Sequence, residues 1–306
     1  MSLSEDVRAE LAAIDPQRGC CRLAELSALL RTAGTVHLRG GGQVGLHVDV
    51  GSPGVARRAF ALLRGFGVGA EIRTYPRRAF GHETRYELHL GDDPRAVQTL
   101  NEAGVLDARL APFDEPPRRI VARSCCRASY LRGAVLAAGS VSGPRNAHVE
   151  LRTATLTAAS FLAGLARADG IELRVAERPR HAVAYAKSAG TIAELLALVG
   201  AHEAALVLEE KAVVGATRAR ANRLANADHA NLVRTSRSAQ AQVRAIRRLE
   251  RGGMLETLPR DLREIADLRL RHPSLSLRVL AARCRPASNK ASVHRRLKRL
   301  ERLADS

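Results

Sequence analysis

The chain has 306 residues, enough for two domains, and its hydrophobic content of 46%, mostly Ala, Leu and Val, supplies a core. Aromatic residues make up 3% with no Trp, which argues against a stacking platform for single-stranded nucleic acid. The net charge of +18 is concentrated: Ala216–Ser306 holds 22 Lys/Arg against 8 Asp/Glu, or +14, leaving +4 for the first 215 residues.

A basic block of that density is the electrostatic footprint of a polyanion, with nucleic acid the leading partner and a solvated basic surface the alternative. The N-terminal "MSLSEDVRAELAAI" has early acids and no apolar h-region, unlike a signal peptide. No run approaches the ~18 apolar residues of a membrane span. Five cysteines form two vicinal pairs, Cys20–Cys21 and Cys125–Cys126, plus Cys284. An odd count fits a reducing cytoplasm. No CxxC exists, so zinc or iron–sulfur spacing is absent. The pairs are expected to open helices as small, semi-buried residues with no resolving or metal partner arranged near them. No metal and no cofactor is expected.

Residues 1–17 read as a lead helix. Beyond them the chain repeats. "CCRLAELSALLRTAGTV" (20–36) lies over "CCRASYLRGAVLAAGSV" (125–141) at an offset of 105. "FALLRGFGVGAEIR" (60–73) lies over "FLAGLARADGIELR" (161–174) at an offset of 101, the change falling in the loops "RGGGQVG" and "SGPRN". Each unit opens on a helix of small residues ending at Gly34 or Gly139. An alternating strand follows, "VGLHVDV" or "AHVELRT", then the helix "PGVARRAFALLRGF" or "TLTAASFLAGLARA". Two strands come next, "AEIRTY" and "TRYELHLG" or "IELRVAE" and "HAVAYAK", and a last helix, "DPRAVQTLNEAG" or "TIAELLALVGAHE". With a strand in the turn after the first helix, the pattern is αββαββα, assigned to 18–118 and 119–203. "GGGQVG" at Gly40 reads as a hairpin turn. "GFGVG" at Gly65 precedes its strand, wrong for a dinucleotide loop, and "HEAAL" at His202 lacks the second His of a zinc protease.

Two such units, each opening on a helix of small residues, resemble the LAGLIDADG endonuclease scaffold. That resemblance implies paired signature helices, each ending on an acid that holds Mg²⁺ at the DNA, as a pair of carboxylates must for phosphodiester cleavage. Here the helices are "LSALLRTAG" (26–34) and "LRGAVLAAG" (131–139), and the acid positions fall on Ala33 and Ala138. A methyl group offers no ligand atom. "LAGLARADG" (162–170) matches the signature at seven of nine positions, but it lies on the second helix of its unit, with Val68 opposite Asp169 in the repeat. Asp169 is expected at a helix-to-strand turn, where Asp-Gly is favoured conformationally.

After His202 only helices are expected: a helical linker over 204–217 and a helix–turn–helix domain over 218–306. "NRLANADHAN" places Asn222, Asn226, Asp228 and Asn231 close to Arg218, Arg220 and Arg223, read as either a helix–helix corner or a phosphate contact. A helix follows Pro259, carrying Leu262, Ile265, Ala266 and Leu268–Leu270, and stops at Pro273. Ser276 caps a short helix, "CRPAS" turns, and Ser288 caps a second helix with Val293, Leu297 and Leu300 inward. Its other face offers Asn289, Lys290, Ser292, His294, Arg295, Arg296 and Arg299 for DNA, the early polar positions for base edges and the arginines for phosphates. A plain three-helix bundle with a basic face is the alternative.

An α+β chain made of a duplicated LAGLIDADG-like domain without its acids, followed by an all-α helix–turn–helix domain, resembles the WhiA family of bacterial regulators. "CCRASYLRGAVLAAGSVS", "NRLANADHAN" and "SNKASVHRRLKRLERLA" carry that resemblance. It implies a cytoplasmic, nucleoid-associated transcription factor for cell-division genes and, in filamentous actinobacteria, sporulation genes. Its partners would be double-stranded DNA at promoters and a WhiB-like iron–sulfur co-regulator. Secondary DNA contacts through Arg152 and Arg174 are a further expectation. A sequence-neutral architectural or RNA-binding protein and a residual nuclease are the competing readings.

Overall fold

The computed structural model describes residues 2–38, 44–77, 83–91, 93–143 and 146–305. The chain divides into two units, Met1–Ala216 and Thr217–Ser306. The turn expected at "GGGQVG" lies mostly outside the described residues, as does part of "SGPRN".

In the first unit, α1 (Leu3–Ala12) starts from a capping box in which Ser2 accepts from the Glu5 N–H and Glu5 accepts from the Ser2 N–H. Then come α2 (Gly19–Ala33), β1 (Gly34–Leu38), β2 (Val44–Val50), α3 (Pro53–Gly65), β3 (Ala70–Arg77), β4 (Glu83–Leu90) and α4 (Pro94–Glu102). The same series returns as α5 (Ser124–Ala138), β5 (Gly139–Ser142), β6 (His148–Thr153), α6 (Leu156–Ala168), β7 (Arg174–Arg178), β8 (His181–Ala186) and α7 (Ala189–Val199). Both sheets are antiparallel with one strand order, β1-β2-β4-β3 and β5-β6-β8-β7. The α+β class and the doubled αββαββα unit are therefore as the sequence reads. Alternation does the sorting: Val44, Leu46, Val48 and Val50 of β2 are buried, and Gly45, His47 and Asp49 between them are not.

Helices α2 and α5 form the seam between the repeats. Each is buried through consecutive residues, Ala24–Leu30 and Ser129–Leu136, as a helix enclosed on all sides must be. Glycine sets their approach. A Cβ on Gly133 would lie 2.4 Å from the Glu25 carbonyl oxygen and 2.8 Å from the Ala28 Cβ. Glycine also ends both helices, because the chain turns straight into a strand. A Cβ on Gly34 would sit 2.2 Å from the Leu30 carbonyl oxygen, and one on Gly139 2.5 Å from that of Val135.

The seam hides a charged network. Glu25, fully buried, accepts from Arg58 Nε at 2.7 Å and from Arg132 Nε at 2.9 Å, so one carboxylate joins α3 of the first repeat to α5 of the second. Arg132 also donates to the Val199 carbonyl and to Ser129 Oγ. This pairing offsets part of the cost of burying three charges.

Several expectations need correction. The strand read from Ile171 begins at Arg174, because Ile171 and Leu173 are spent in the core ahead of it. "TIAELLALVGAHE" is not one helix: Gly200, at φ +103, ends α7, and α8 (His202–Arg251) begins two residues on. "NRLANADHAN" is not a corner but lies inside this 50-residue helix. The vicinal cysteines do open α2 and α5, with Cys21 and Cys126 buried and Cys20 and Cys125 half-buried. They are not isolated, however. The four Sγ atoms lie within 4.8 Å of one another, because the seam brings together residues 105 apart in sequence. The neighbouring Cys21 thiol, and Arg18 beside it, hold Cys125 below the ordinary thiol value. Burial pushes Cys126 up to about 12.

In the second unit, α9 (Arg260–Arg271), α10 (Leu277–Arg283) and α11 (Lys290–Asp305) enclose a core of Leu262, Ile265, Leu280, Val293, Leu297 and Leu300, joined by Ile246 and Leu249 from the end of α8. Among the described residues no helix is long and apolar enough to cross a membrane.

Candidate nucleic-acid interface

Ser276 caps α10 as expected, its Oγ accepting from the Val279 N–H at 3.4 Å. The cap of α11 is different from the expected one. Asn289 Oδ1 accepts from the Ser292 N–H at 2.8 Å, while the Ser288 N–H donates back to the Ala281 carbonyl. Asn289 rather than Ser288 starts the helix. The side-chain oxygen of Asn289 is engaged by this cap, which leaves its amide NH₂ as the donor of an exposed side chain.

Of the residues expected to meet DNA, Asn289, Lys290, His294, Arg295 and Arg299 are exposed, and Ser292 and Arg296 are half-buried. Val293, Leu297 and Leu300 hold one side of α11 in the core; at helical spacing Arg295 and Arg299 share the side away from them, whereas Lys290 and His294 form a separate stripe that begins in the first turn. Among the described residues Lys290, Arg295 and Arg299 have no acidic partner, whereas Lys298 pairs with Glu301 at 2.6 Å. Arg296 stands apart from the rest: its Nε is 3.1 Å from Asp261 Oδ2, tying α11 to α9. Missed from the sequence was Arg269, buried inside the apolar run of α9. It donates to the Pro273 and Leu275 carbonyls at 3.3 and 2.8 Å and so fixes the loop before α10. Burial draws its pKa down.

On α8, Arg218, Arg220, Asn222, Arg223, Asn226 and Asn231 are all exposed. Helical spacing divides them into two stripes, Arg218–Asn222–Asn226 and Arg220–Arg223–Asn231. Asn231 accepts from Arg234.

Ala33 and Ala138 are the last residues of α2 and α5, as the register of the repeat requires, and both are partly exposed. Beside Ala138 the N-terminal helix closes in. Arg8 donates to the Gly139 carbonyl at 2.6 Å, and Ser4 Oγ exchanges hydrogen bonds with both backbone groups of Val141. A cleft of about 1010 Å³ opens there, with Arg8, Arg57, Arg85 and Arg152 against Glu5 and Glu150. Asp169 is elsewhere. It ends α6, its carboxylate held by Arg127 in a two-pronged ion pair at 2.7 and 2.8 Å, and Gly170 follows at φ +85. On the outer sheet face of the first repeat the cations are mostly neutralised: Arg85 pairs with Asp49, Arg73 with Glu71, and Glu87 sits between His47 and His89. Arg152 and Arg174 of the second sheet are exposed.

Three family models match most of this chain: the WhiA N-terminal LAGLIDADG-like domain over 19–106, the WhiA LAGLIDADG-like domain over 127–218 and the WhiA C-terminal HTH domain over 221–304. The chain belongs to the WhiA family. Two relatives, each called "Probable cell division protein WhiA", agree over the whole chain: that of Heliobacterium modesticaldum at 37% identity, covering 97% of that protein, and that of Desulforudis audaxviator at 39%, also covering 97%. The crystal structure of full-length DUF199/WhiA from Thermatoga maritima matches all of this chain and 98% of its own at a TM-score of 0.59 and 22% identity, a likeness of fold. The WhiA architecture thus joins the two LAGLIDADG-like repeats to the helical domain carrying the α10–α11 pair.

Proposed function

We propose that this WhiA-family chain is a sequence-specific regulator of transcription that binds promoter DNA through α10 and α11 and does no covalent chemistry. The observation that carries the reading is that Lys290, Arg295 and Arg299 of α11 stand exposed with no acidic partner among the described residues, within a domain matched by a helix–turn–helix model. Free cations supply affinity for phosphate, and the first turn of a helix entering the major groove reads base edges. The Asn289 amide, Lys290 and His294 are assigned to bases, and Arg295 and Arg299 to the backbone. Arg296, engaged by Asp261, supports the helix. The exposed arginines and asparagines of α8 and the exposed Arg152 and Arg174 are the secondary phosphate contacts of this reading.

Ala33 and Ala138 support a binding role over a cleaving one, since neither alanine offers a metal ligand where the endonuclease chemistry needs two carboxylates. Cell-division genes as targets follow the names of the relatives. Sporulation genes, a WhiB-like iron–sulfur co-regulator, and a cytoplasmic, nucleoid-associated location are carried by the family resemblance.

The test is a genomic DNA selection with purified full-length protein in Mg²⁺ at moderate salt, scoring enrichment and strand cleavage on the same fragments. One short motif should be enriched, every fragment should stay intact, and the Lys290→Ala/Arg295→Ala variant should lose the enrichment. Uniform recovery of all fragments would instead favour an architectural protein, and cut ends would overturn the non-catalytic reading.

A further inference from the structure

Four thiols meet at the top of the seam. Cys20 and Cys21 are the second and third residues of α2, and Cys125 and Cys126 hold the same places in α5. Their Sγ atoms all lie within 4.8 Å of one another. A mononuclear zinc tetrathiolate has Zn–S bonds of about 2.3 Å, so its sulfurs stand ~3.8 Å apart at the corners of a tetrahedron. The observed spacing is within a small side-chain adjustment of that figure. A cubane iron–sulfur cluster puts an iron atom behind each cysteine and holds the sulfurs farther apart.

The surroundings suit the charge. Four thiolates around a divalent ion carry a net −2. Arg18 and Arg123 cap the two helices and cross over: Arg18 Nη1 lies 3.7 Å from Cys125 Sγ, and Arg123 Nη1 lies 4.0 Å from Cys20 Sγ. Two guanidinium groups supply +2, and two helix N-termini of 15 residues each point their partial positive ends at the same place. Cys21 and Cys126 are buried, while Cys20 and Cys125 are half-exposed and give an ion a way in. A CxxC search cannot find this arrangement, because each repeat brings only one adjacent pair.

We propose that Cys20, Cys21, Cys125 and Cys126 form a tetrathiolate site for one thiophilic divalent cation of the Zn²⁺ type, which pins the first turn of α2 to that of α5. On binding, the thiols lose their protons to the buffer and the ion gains four sulfur ligands; nothing is oxidised. The ion closes a clamp across the two repeats, and the stability of the seam follows its availability.

The full-length protein, purified reduced and without oxygen, is titrated with Co²⁺ and then with Zn²⁺ in the presence of a competing chelator. One Co²⁺ per chain should bind, with the intense sulfur-to-cobalt charge-transfer bands and the tetrahedral d–d bands of a four-sulfur site. Zn²⁺ should bleach them one for one, and the thermal midpoint should rise with added metal. The Cys20→Ser/Cys125→Ser variant should lose those bands, and Cys284→Ser, a change in the second unit, should keep them. Should the double variant fail to fold, the wild-type spectrum decides alone, because its intensity counts the sulfur ligands. No Co²⁺ uptake against the chelator, an octahedral spectrum, or full binding by a folded double variant would overturn the proposal. So would a stable iron–sulfur chromophore after anaerobic reconstitution that Zn²⁺ cannot replace.

Discussion

Arg295 and Arg296 are neighbours in sequence with opposite assignments. Arg295 is exposed with no acidic partner among the described residues, while Arg296 is held at 3.1 Å by Asp261. Arg295→Ala should therefore weaken DNA binding by roughly tenfold or more, with the melting midpoint unchanged. Arg296→Ala should do the reverse: a smaller affinity change and a loss of about 0.5 kcal/mol or less, since Asp261 is largely solvated. Fluorescence anisotropy and thermal melts on the two variants separate the roles. Arg269 belongs with neither. Its guanidinium holds two loop carbonyls, so Arg269→Ala should cost about 1–3 kcal/mol in chemical denaturation by leaving those acceptors unsatisfied.

At the scale of elements, the α2–α5 seam depends on one glycine and one acid. Gly133→Val would drive side-chain atoms into the backbone of Glu25 and should destabilise the protein by roughly 1–3 kcal/mol or more, or push the helices apart. Glu25→Ala is expected to cost about 3–5 kcal/mol, because it strands Arg58 and Arg132 in the interior. Urea denaturation of the full chain measures both. Much of the seam was legible from the repeat: the register of "CCRASYLRGAVLAAGSV" on its partner located both helices, their terminal glycines and the two alanines. Its chemistry was not. Glu25 reads as an ordinary helix-surface acid, and nothing local says that Arg132, 107 residues away, meets it. The cysteines failed the same way, since metal-ligand rules look for spacing along one segment and here the second pair comes from the second repeat.

For the molecule as a whole, the division of charge seen in the sequence, +14 after residue 215 and +4 before, finds a structural counterpart. The sheet face of the first repeat is a lattice of ion pairs, and α11 leaves Lys290, Arg295 and Arg299 without acidic partners among the described residues. The α9–α11 arrangement was legible because Pro259, Pro273, Ser276 and the Val293–Leu297–Leu300 spacing mark it. The unbroken course of α8 was not, since the Asn and Asp residues of "NRLANADHAN" are as common at helix caps as they are tolerated on a solvated helix.

The central claim, that this WhiA-family chain reads duplex DNA with α11, is tested most directly by equilibrium titration of one enriched duplex and its scrambled counterpart across a range of salt. Binding should be tighter to the enriched duplex by a factor of ~10³ or more. The logarithmic salt slope should fall by about 0.9 on replacing Arg295 or Arg299 with alanine. Equal affinity for both duplexes, or a salt slope indifferent to Arg295 and Arg299, would contradict the claim.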